Sequence, residues 1–267
     1  MQPLKSIPII LTIAGSDSGA GAGIQADLKT FAALGGVHGV TAVTCVTAQN
    51  PKRVLGVQPC TLSMVRRQLE AVFEELPPSA AKTGMLYSAG IIRVVAEFFR
   101  RRRIPLVIDP VMMSTSGARL LNPSAINVLR EQLFPLANLI TPNVSETEAL
   151  LDVKVRSVED LRRAAKEMYR RFATAALVKG GHLRGLKEAV DIFYDGNEEL
   201  LLSAPFVRGF KTHGTGCTYS AAITAYLATG LSLVDSVVRA KEFVTQAIAQ
   251  SQRVGRHGVL NWFWHQL

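Results

Sequence analysis

The chain predicts an α/β protein: a mostly parallel sheet covered by helices on both faces, with an antiparallel edge. Three observations carry that prediction. Short apolar runs alternate with segments of helical period along the whole of its 267 residues. Runs such as PLVIDP are apolar throughout rather than at every second residue, as strands are when both faces are covered. In DIFYDGNEELLLS the alternation stops, because Asp195-Gly196-Asn197 separates two apolar runs and reads as a hairpin.

Taken in order, the first apolar run, IPIILTI, predicts a strand over 7–14, and the patterned stretch after its glycines a helix over 23–34. Strands follow over 40–47, 80–83, 106–109, 139–141, 175–179, 189–194 and 199–203, each a short apolar or β-branched run. Helices are expected over 62–75, 89–102, 123–133, 145–151, 158–172, 215–229 and 233–254, where apolar residues return every three or four positions. Arg100-Arg101-Arg102-Arg103 suits a helix C-terminus, where cations meet the helix dipole and solvent. No repeat, low-complexity segment or linker parts the chain, so 1–267 is expected to be a single domain.

Bulk features exclude several classes. No apolar run reaches the roughly 18 residues of a membrane span. The N-terminal run leads into Gly-Ser-Asp and reads as a buried strand rather than a signal peptide, so a cytoplasmic protein is expected. Cys45, Cys60 and Cys217 are odd in number and lack C-x-x-C spacing, which argues against a disulfide framework or a zinc site. The net charge of +9 is compatible with nucleic acid, an acidic membrane surface or phosphorylated small molecules. The arginine run has no interleaved aromatics and no RNA-binding signature, so no nucleic-acid partner is expected.

In a sheet of this kind ligands bind beyond the carboxyl ends of the strands. The segments there are AGSDSGAGAGIQAD at 14–27, Gln49, Gly84-Met85, Asp109-Pro110-Val111, the stretch from Asn143 to Glu146, Lys179-Gly180-Gly181 and the stretch from Thr212 to Cys217. G-x-x-x-x-G-K-[ST] is absent, and Ile24 stands where G-x-G-x-x-G needs its third glycine, so neither a P-loop nor a dinucleotide fold is indicated. Gly214-Thr215-Gly216-Cys217 precedes a long small-residue helix, whose unpaired first-turn amides suit an anion; a glycine-rich helix start packed on the sheet is the plainer reading. Ser145-x-x-Glu148 reads as a capping box, which leaves Asn143 and Glu146 for other work. Lys179 beside two glycines suits a nucleotide phosphate or, more plainly, a solvated turn.

Seven motifs then occur in order: A-G-S-D-S-G-A-G-A-G-I-Q-A-D, T-A-Q-N, K-T-G-M-L, D-P-V-M, T-P-N-x-x-E, V-K-G-G-H and H-G-T-G-C. Together they resemble the hydroxymethylpyrimidine and phosphomethylpyrimidine kinases, members of the ribokinase-like superfamily, from about Ile7 to the C-terminal helix. The resemblance implies a three-layer αβα sandwich, ATP and Mg²⁺, a homodimer, and two successive phosphorylations in one site, first of an alcohol and then of its phosphate monoester. By the same resemblance 14–27 is the substrate loop, with Gly15, Ala22 and Asp27 at the aminopyrimidine, while Gly214, Gly216 and Cys217 form the catalytic anion hole.

Gln49 matches the family's pyrimidine-binding residue. A 4-aminopyrimidine sets an amino donor beside a ring-nitrogen acceptor, and a carboxamide offers the complementary pair in one plane. Met85 and Val111 match the apolar walls of that pocket. Glu146 matches a residue that helps to hold Mg²⁺, with Asp109 assisting, and Lys179, Thr215 and Asn143 fall to the nucleotide. Cys217 stands where most of the superfamily carries an Asp base, and its place at a helix N-terminus is expected to lower its pKa from about 8.5. Three stretches depart from the family's pattern: SDSGAGAG, the lysine-free Met113-Ser114-Thr115-Ser116-Gly117, and the tail GRHGVLNWFW. The alternative reading is a pyridoxine or pyridoxal kinase on the same scaffold, against which Gln49 argues.

Overall fold

The computed structural model describes residues 6–265 except 115–116, 182, 184–185 and 208–212. Thr115, Ser116, His182 and Thr212 of the motifs above therefore lie outside the described residues. The first strand, β1 (Ile9–Asp17), is parallel to β2 (His38–Asn50) on one side and to β4 (Ala80–Thr83) on the other. From β4 the parallel ladder runs through β5 (Leu106–Ile108) and β6 (Leu139–Ile140) to β7 (Ala175–Lys179). The hairpin read from Asp-Gly-Asn is present as β8 (Glu188–Tyr194) and β9 (Glu199–Pro205), antiparallel to each other, with β8 antiparallel to β7. A second antiparallel edge, absent from the sequence reading, is β3 (Arg53–Pro59) against β2. The order of the nine-stranded sheet is thus β3-β2-β1-β4-β5-β6-β7-β8-β9. Connections leave β1 in opposite directions, so the ends of β1 and β4 flank a switch-point crevice.

Alternate residues of each strand feed opposite helical layers. Leu11, Ile13, Leu106 and Ile108 face a core shared with α2 (Leu62–Glu75), α3 (Ala89–Phe99), α4 (Pro123–Val128), α5 (Val144–Leu151) and α6 (Val158–Phe172). Ile10, Val107, Leu139 and Leu177 face α1 (Gly23–Leu34), α7 (Thr215–Ala228) and α8 (Leu233–Ala249). This is the three-layer αβα arrangement the sequence implied. The arginine run follows the end of α3, where the Arg102 guanidinium lies 3.4 Å from the centroid of the Phe98 ring. The helix expected over 233–254 stops at Ala249, and the chain turns into a small hairpin, β10 (Gln252–Val254) with β11 (His257–Val259).

Candidate active site

A cavity of 570 Å³ opens along the carboxyl ends of the strands. All fourteen site residues picked from the sequence line it: Gly15, Ala22, Asp27, Gln49, Met85, Asp109, Val111, Asn143, Glu146, Lys179, Gly214, Thr215, Gly216 and Cys217. The strand order arranges them. Gln49 sits on β2 and Gly15 on β1 at one end; Asp109 follows β5, and Asn143 follows β6. Lys179 ends β7, and beyond it β8 and β9 bring Asp191 and Ala204 to the far end, where Val244 and Ile248 of α8 add an apolar wall. One long cavity can therefore hold two ligands end to end with charged groups between them.

The loop after β1 is ordered by a residue the sequence reading passed over. Asp17 accepts hydrogen bonds from the backbone N–H groups of Gly19 at 2.8 Å, Gly21 at 3.1 Å and Ala22 at 2.9 Å. Burial alone would raise its pKa, but the His213 ring and the Ala22 and Gly19 amides hold the carboxyl below its usual range. His213 Nε2 lies 3.2 Å from Asp17 Oδ2 and 2.9 Å from Gln49 Nε2, so one imidazole edge joins the substrate loop to the pyrimidine-reading position. Gly214, the N-cap of α7, completes the closure with φ +83°: a Cβ there would stand 1.7 Å from the Gly21 carbonyl oxygen. The two glycine-rich loops thus meet backbone to backbone, which a sequence scan treats as separate motifs.

Met85 and Leu120 are buried in the same cavity lining as Gln49, with Cys45 packed behind them and Val111, half-buried, against them. Gly15 must be glycine here, since a Cβ would stand 2.7 Å from Cys45 Sγ. Asp27, which the resemblance places at the aminopyrimidine, is wholly buried: Oδ1 accepts from Lys82 Nζ at 2.7 Å and Oδ2 from Thr12 Oγ1 at 2.6 Å. Lys82, also wholly buried, is the second residue the reading missed, although it opens the K-T-G-M-L motif. A lysine in an apolar strand gives no sign of its partner 55 positions away.

At the centre Lys179 Nζ lies 3.0 Å from Asp109 Oδ1, and Ser220 Oγ lies 3.4 Å from Asp109 Oδ2. A Cβ on Gly216 would stand 3.1 Å from Lys179 Nζ, so the start of α7 lies directly against this cation. The capping expectation is corrected. Asn143 caps α5: Asn143 N donates to Glu146 Oε2 at 2.9 Å, and Glu146 N donates to Asn143 Oδ1 at 3.0 Å. Ser145 is exposed, and Glu148 instead accepts from the Val155 N–H at 3.0 Å. Burial first, and the charge of Asp109 second, push the Glu146 carboxyl up to about 7.

The expectation for Cys217 is also overturned. Burial pushes its thiol up to about 12; the Lys82 ammonium opposes this, and Asp27 and Asp109 add to it. The helix N-terminus is outweighed, so Cys217 is a thiol near neutral pH.

No group of three or more His, Cys, Asp or Glu side chains among the described residues forms a metal cage. Glu146 and Asp109 do fit a hydrated divalent ion shared with nucleotide phosphates, which needs only one or two carboxylates. Their mutual repulsion, which helps to raise Glu146, is what such an ion would relieve.

The fold and this site define a ribokinase-like small-molecule kinase. A family model described as phosphomethylpyrimidine kinase matches residues 17–261, and the chain belongs to that family. A hydroxymethylpyrimidine/phosphomethylpyrimidine kinase of Synechococcus elongatus is 45% identical over 97% of this chain and 98% of its own. A bifunctional thiamine-biosynthesis protein of Geobacter sulfurreducens is also 45% identical over 94% of this chain, but the match spans 51% of that longer protein. Among solved structures, an ADP complex of Bacillus subtilis pyridoxal kinase superposes with a TM-score of 0.90 at 38% identity, covering 98% of this chain and all of that one. A Clostridium difficile phosphomethylpyrimidine kinase gives 0.79 at 42% identity over 90% of this chain and 99% of its own.

Proposed function

We propose that the protein transfers the γ-phosphoryl group of ATP to 4-amino-5-hydroxymethyl-2-methylpyrimidine and then to the resulting monophosphate, giving the diphosphate used in thiamine biosynthesis. The observation that carries this reading is the Gln49 carboxamide sharing one cavity with the apolar side chains of Met85, Val111 and Leu120, while Val244 and Ile248 line the same cavity beyond Lys179. The alcohol oxygen bonds to phosphorus, its proton is released to solvent in the open cavity, and ADP leaves with the electrons of the broken P–O bond. Such transfers have a loose transition state, so the protein's work is positioning and electrostatics. The first-turn amides of α7 and Lys179 supply positive charge, and Cys217 enters as a thiol. Mg²⁺, held by Glu146 and Asp109, supplies charge neutralisation at the phosphates when bound. The test is ATP consumption with the aminopyrimidine alcohol against pyridoxine. Turnover of pyridoxine alone would establish the second reading, which the similarity to pyridoxal kinases supports.

Residues 1–267 act as one domain in this reading, and the protein works as a cytoplasmic homodimer. Exposed Val46, Leu55, Leu62 and Met64 on β2, β3 and α2 support association of copies, and three unpaired cysteines support a reducing compartment. No described helix is long and apolar enough to cross a membrane.

A further inference from the structure

The C-terminal tail makes a contact that the phosphoryl transfer described above does not use. Lys29 of α1 engages two partners with one ammonium. Its Nζ donates to the Ala20 carbonyl at 2.7 Å and lies 4.6 Å from the centroid of the Trp262 ring. Ala20 belongs to the loop after β1 and takes φ +54°, a left-handed conformation uncommon for a residue with a Cβ. Its N–H donates to the Asp17 carbonyl at 2.9 Å, so both of its backbone polar groups are engaged. Trp262 is 5% exposed, in the core that also holds Ala26 of α1, Tyr219 of α7 and Phe243 of α8. Its Nε1–H donates to Thr218 Oγ1 at 2.9 Å. Thr218 in turn donates its backbone N–H to the Gly214 carbonyl at 2.9 Å, and Gly214 packs on Gly21. The contacts form a closed ring, from Ala20 and Gly21 through Gly214, Thr218, Trp262 and Lys29 back to Ala20. That ring joins the loop after β1 to the first turn of α7, the helix that carries Gly216 and Cys217.

We propose that Lys29 and Trp262 are positioning residues of the acceptor site: a cation–ring clasp by which the C-terminal tail holds the substrate loop closed on the start of α7. Neither side chain lines the cavity. Lys29 fixes the Ala20 carbonyl, and with it the stretch from Asp17 to Ala22, whose ends do line the cavity. Trp262 is the anchor, because its ring is buried and its N–H is committed to Thr218. A loop already held in its closed form costs less to order when the acceptor enters, so the clasp lowers the acceptor's KM. In the same reading the nucleotide meets Lys179 and the far end of the cavity, so its KM does not depend on the clasp. The inference rests on the kinase reading, but the loop gives a gauge that needs no turnover.

The experiment follows hydrogen exchange, peptide by peptide, in the full-length protein without ligand. The amides of Gly19, Ala20, Gly21 and Ala22 all donate to Asp17, so their protection reports how firmly the loop is closed. Lys29→Met keeps the alkyl stem and removes the charge. It is expected to speed exchange of the 17–22 stretch about tenfold and to leave α3 and α6 unchanged. Trp262→Leu is expected to do the same. Lys29→Arg, which keeps a cation for both carbonyl and ring, is expected to recover most of the protection. Kinetics add the second readout. Lys29→Met raises KM for the aminopyrimidine alcohol about tenfold and leaves kcat and the KM for ATP within about twofold. Unchanged protection of the loop in Lys29→Met overturns the proposal, as does faster exchange along the whole chain, the mark of mere loosening. An acceptor KM that stays at the parent value while the loop loosens overturns it too. Wild-type protein inactive on the aminopyrimidine would instead count against the kinase reading, while exchange still judged the clasp.

Discussion

Glu146→Gln separates the two duties of one side chain. Glu146 is 5% exposed, caps α5 through Asn143, and accepts the Met112 N–H at 3.4 Å. Its carboxyl is raised from 4.5 to about 7 by burial and by Asp109. Because the folded pKa lies above the unfolded one, the folded chain binds the proton more tightly. The group's contribution is therefore fully present below about pH 4.5 and is lost as pH rises through about 7. The difference across that window is about 3 kcal/mol. Glutamine does not ionise and keeps an oxygen for the Asn143 N–H, so the variant is expected to be more stable than the parent at pH 8, by up to about 3 kcal/mol. At pH 5 the gain should fall to below about 1 kcal/mol. Urea titrations at the two pH values measure this. Removing the charge also weakens the hold on the ion, and the magnesium requirement is expected to rise about 10- to 100-fold while pyrimidine binding stays. An equal stability change at both pH values would refute the assigned cause of the raised pKa. An unchanged magnesium requirement would leave Glu146 as a helix cap alone.

Gln49→Leu leaves the pyrimidine's amino group and ring nitrogen unpaired, so its binding is expected to weaken by about 2–4 kcal/mol with ATP binding unmoved, as calorimetry on each ligand would show. Gly214→Ala forces a side chain into φ +83° and against the Gly21 carbonyl, and is expected to lose at least about 2 kcal/mol of stability and nearly all turnover; near-parental melting and rates would mean that the loops do not close on each other. Cys217→Ala removes a group that is a thiol at neutral pH, so both transfers should fall by one small factor, below the roughly 100-fold at which a general base begins. A loss confined to the alcohol would restore the base.

What the sequence made legible follows from where ligands sit in parallel sheets. Strand ends are marked by glycine, proline and polar residues, so the cavity's lining could be read segment by segment. β3 escaped because Arg53–Pro59 is exposed on most of its length and has no buried alternation to read. The terminal hairpin escaped because its short strands follow α8 with no proline between. The capping box was misread because two frames share one spacing. Asn143-x-x-Glu146 and Ser145-x-x-Glu148 both satisfy it, and the choice is tertiary: the Lys179 N–H donates to the Pro142 carbonyl at 2.8 Å, which holds the chain extended up to Asn143. Cys217 was misjudged for a related reason. A helix start is visible in sequence, whereas the burial that raises the thiol, and the lesser effect of Asp27 and Asp109, come from distant elements.

The same blindness covers the charges that organise the cavity. Asp27–Lys82 lies under one end and Asp191–Lys241, 2.8 Å apart, under the other. The second pair has a visible structural role. Asp191 Oδ1 accepts the Gly180 N–H at 3.0 Å, and Gly180 has no room for a Cβ, which would stand 2.3 Å from the Val190 carbonyl oxygen. It thereby fixes the turn that follows Lys179. Buried pairs are weak evidence for stability, since burying each ion costs several kcal/mol before attraction offsets it. Both pairs lie in the cavity wall, where such a cost has a use. One locks the turn beside the central cation, and the other, with Thr12, ties α1 to β1 and β4 in the cavity wall. Charge placement, rather than cohesion of the sheet, is the physical account of why four ionisable side chains are buried there.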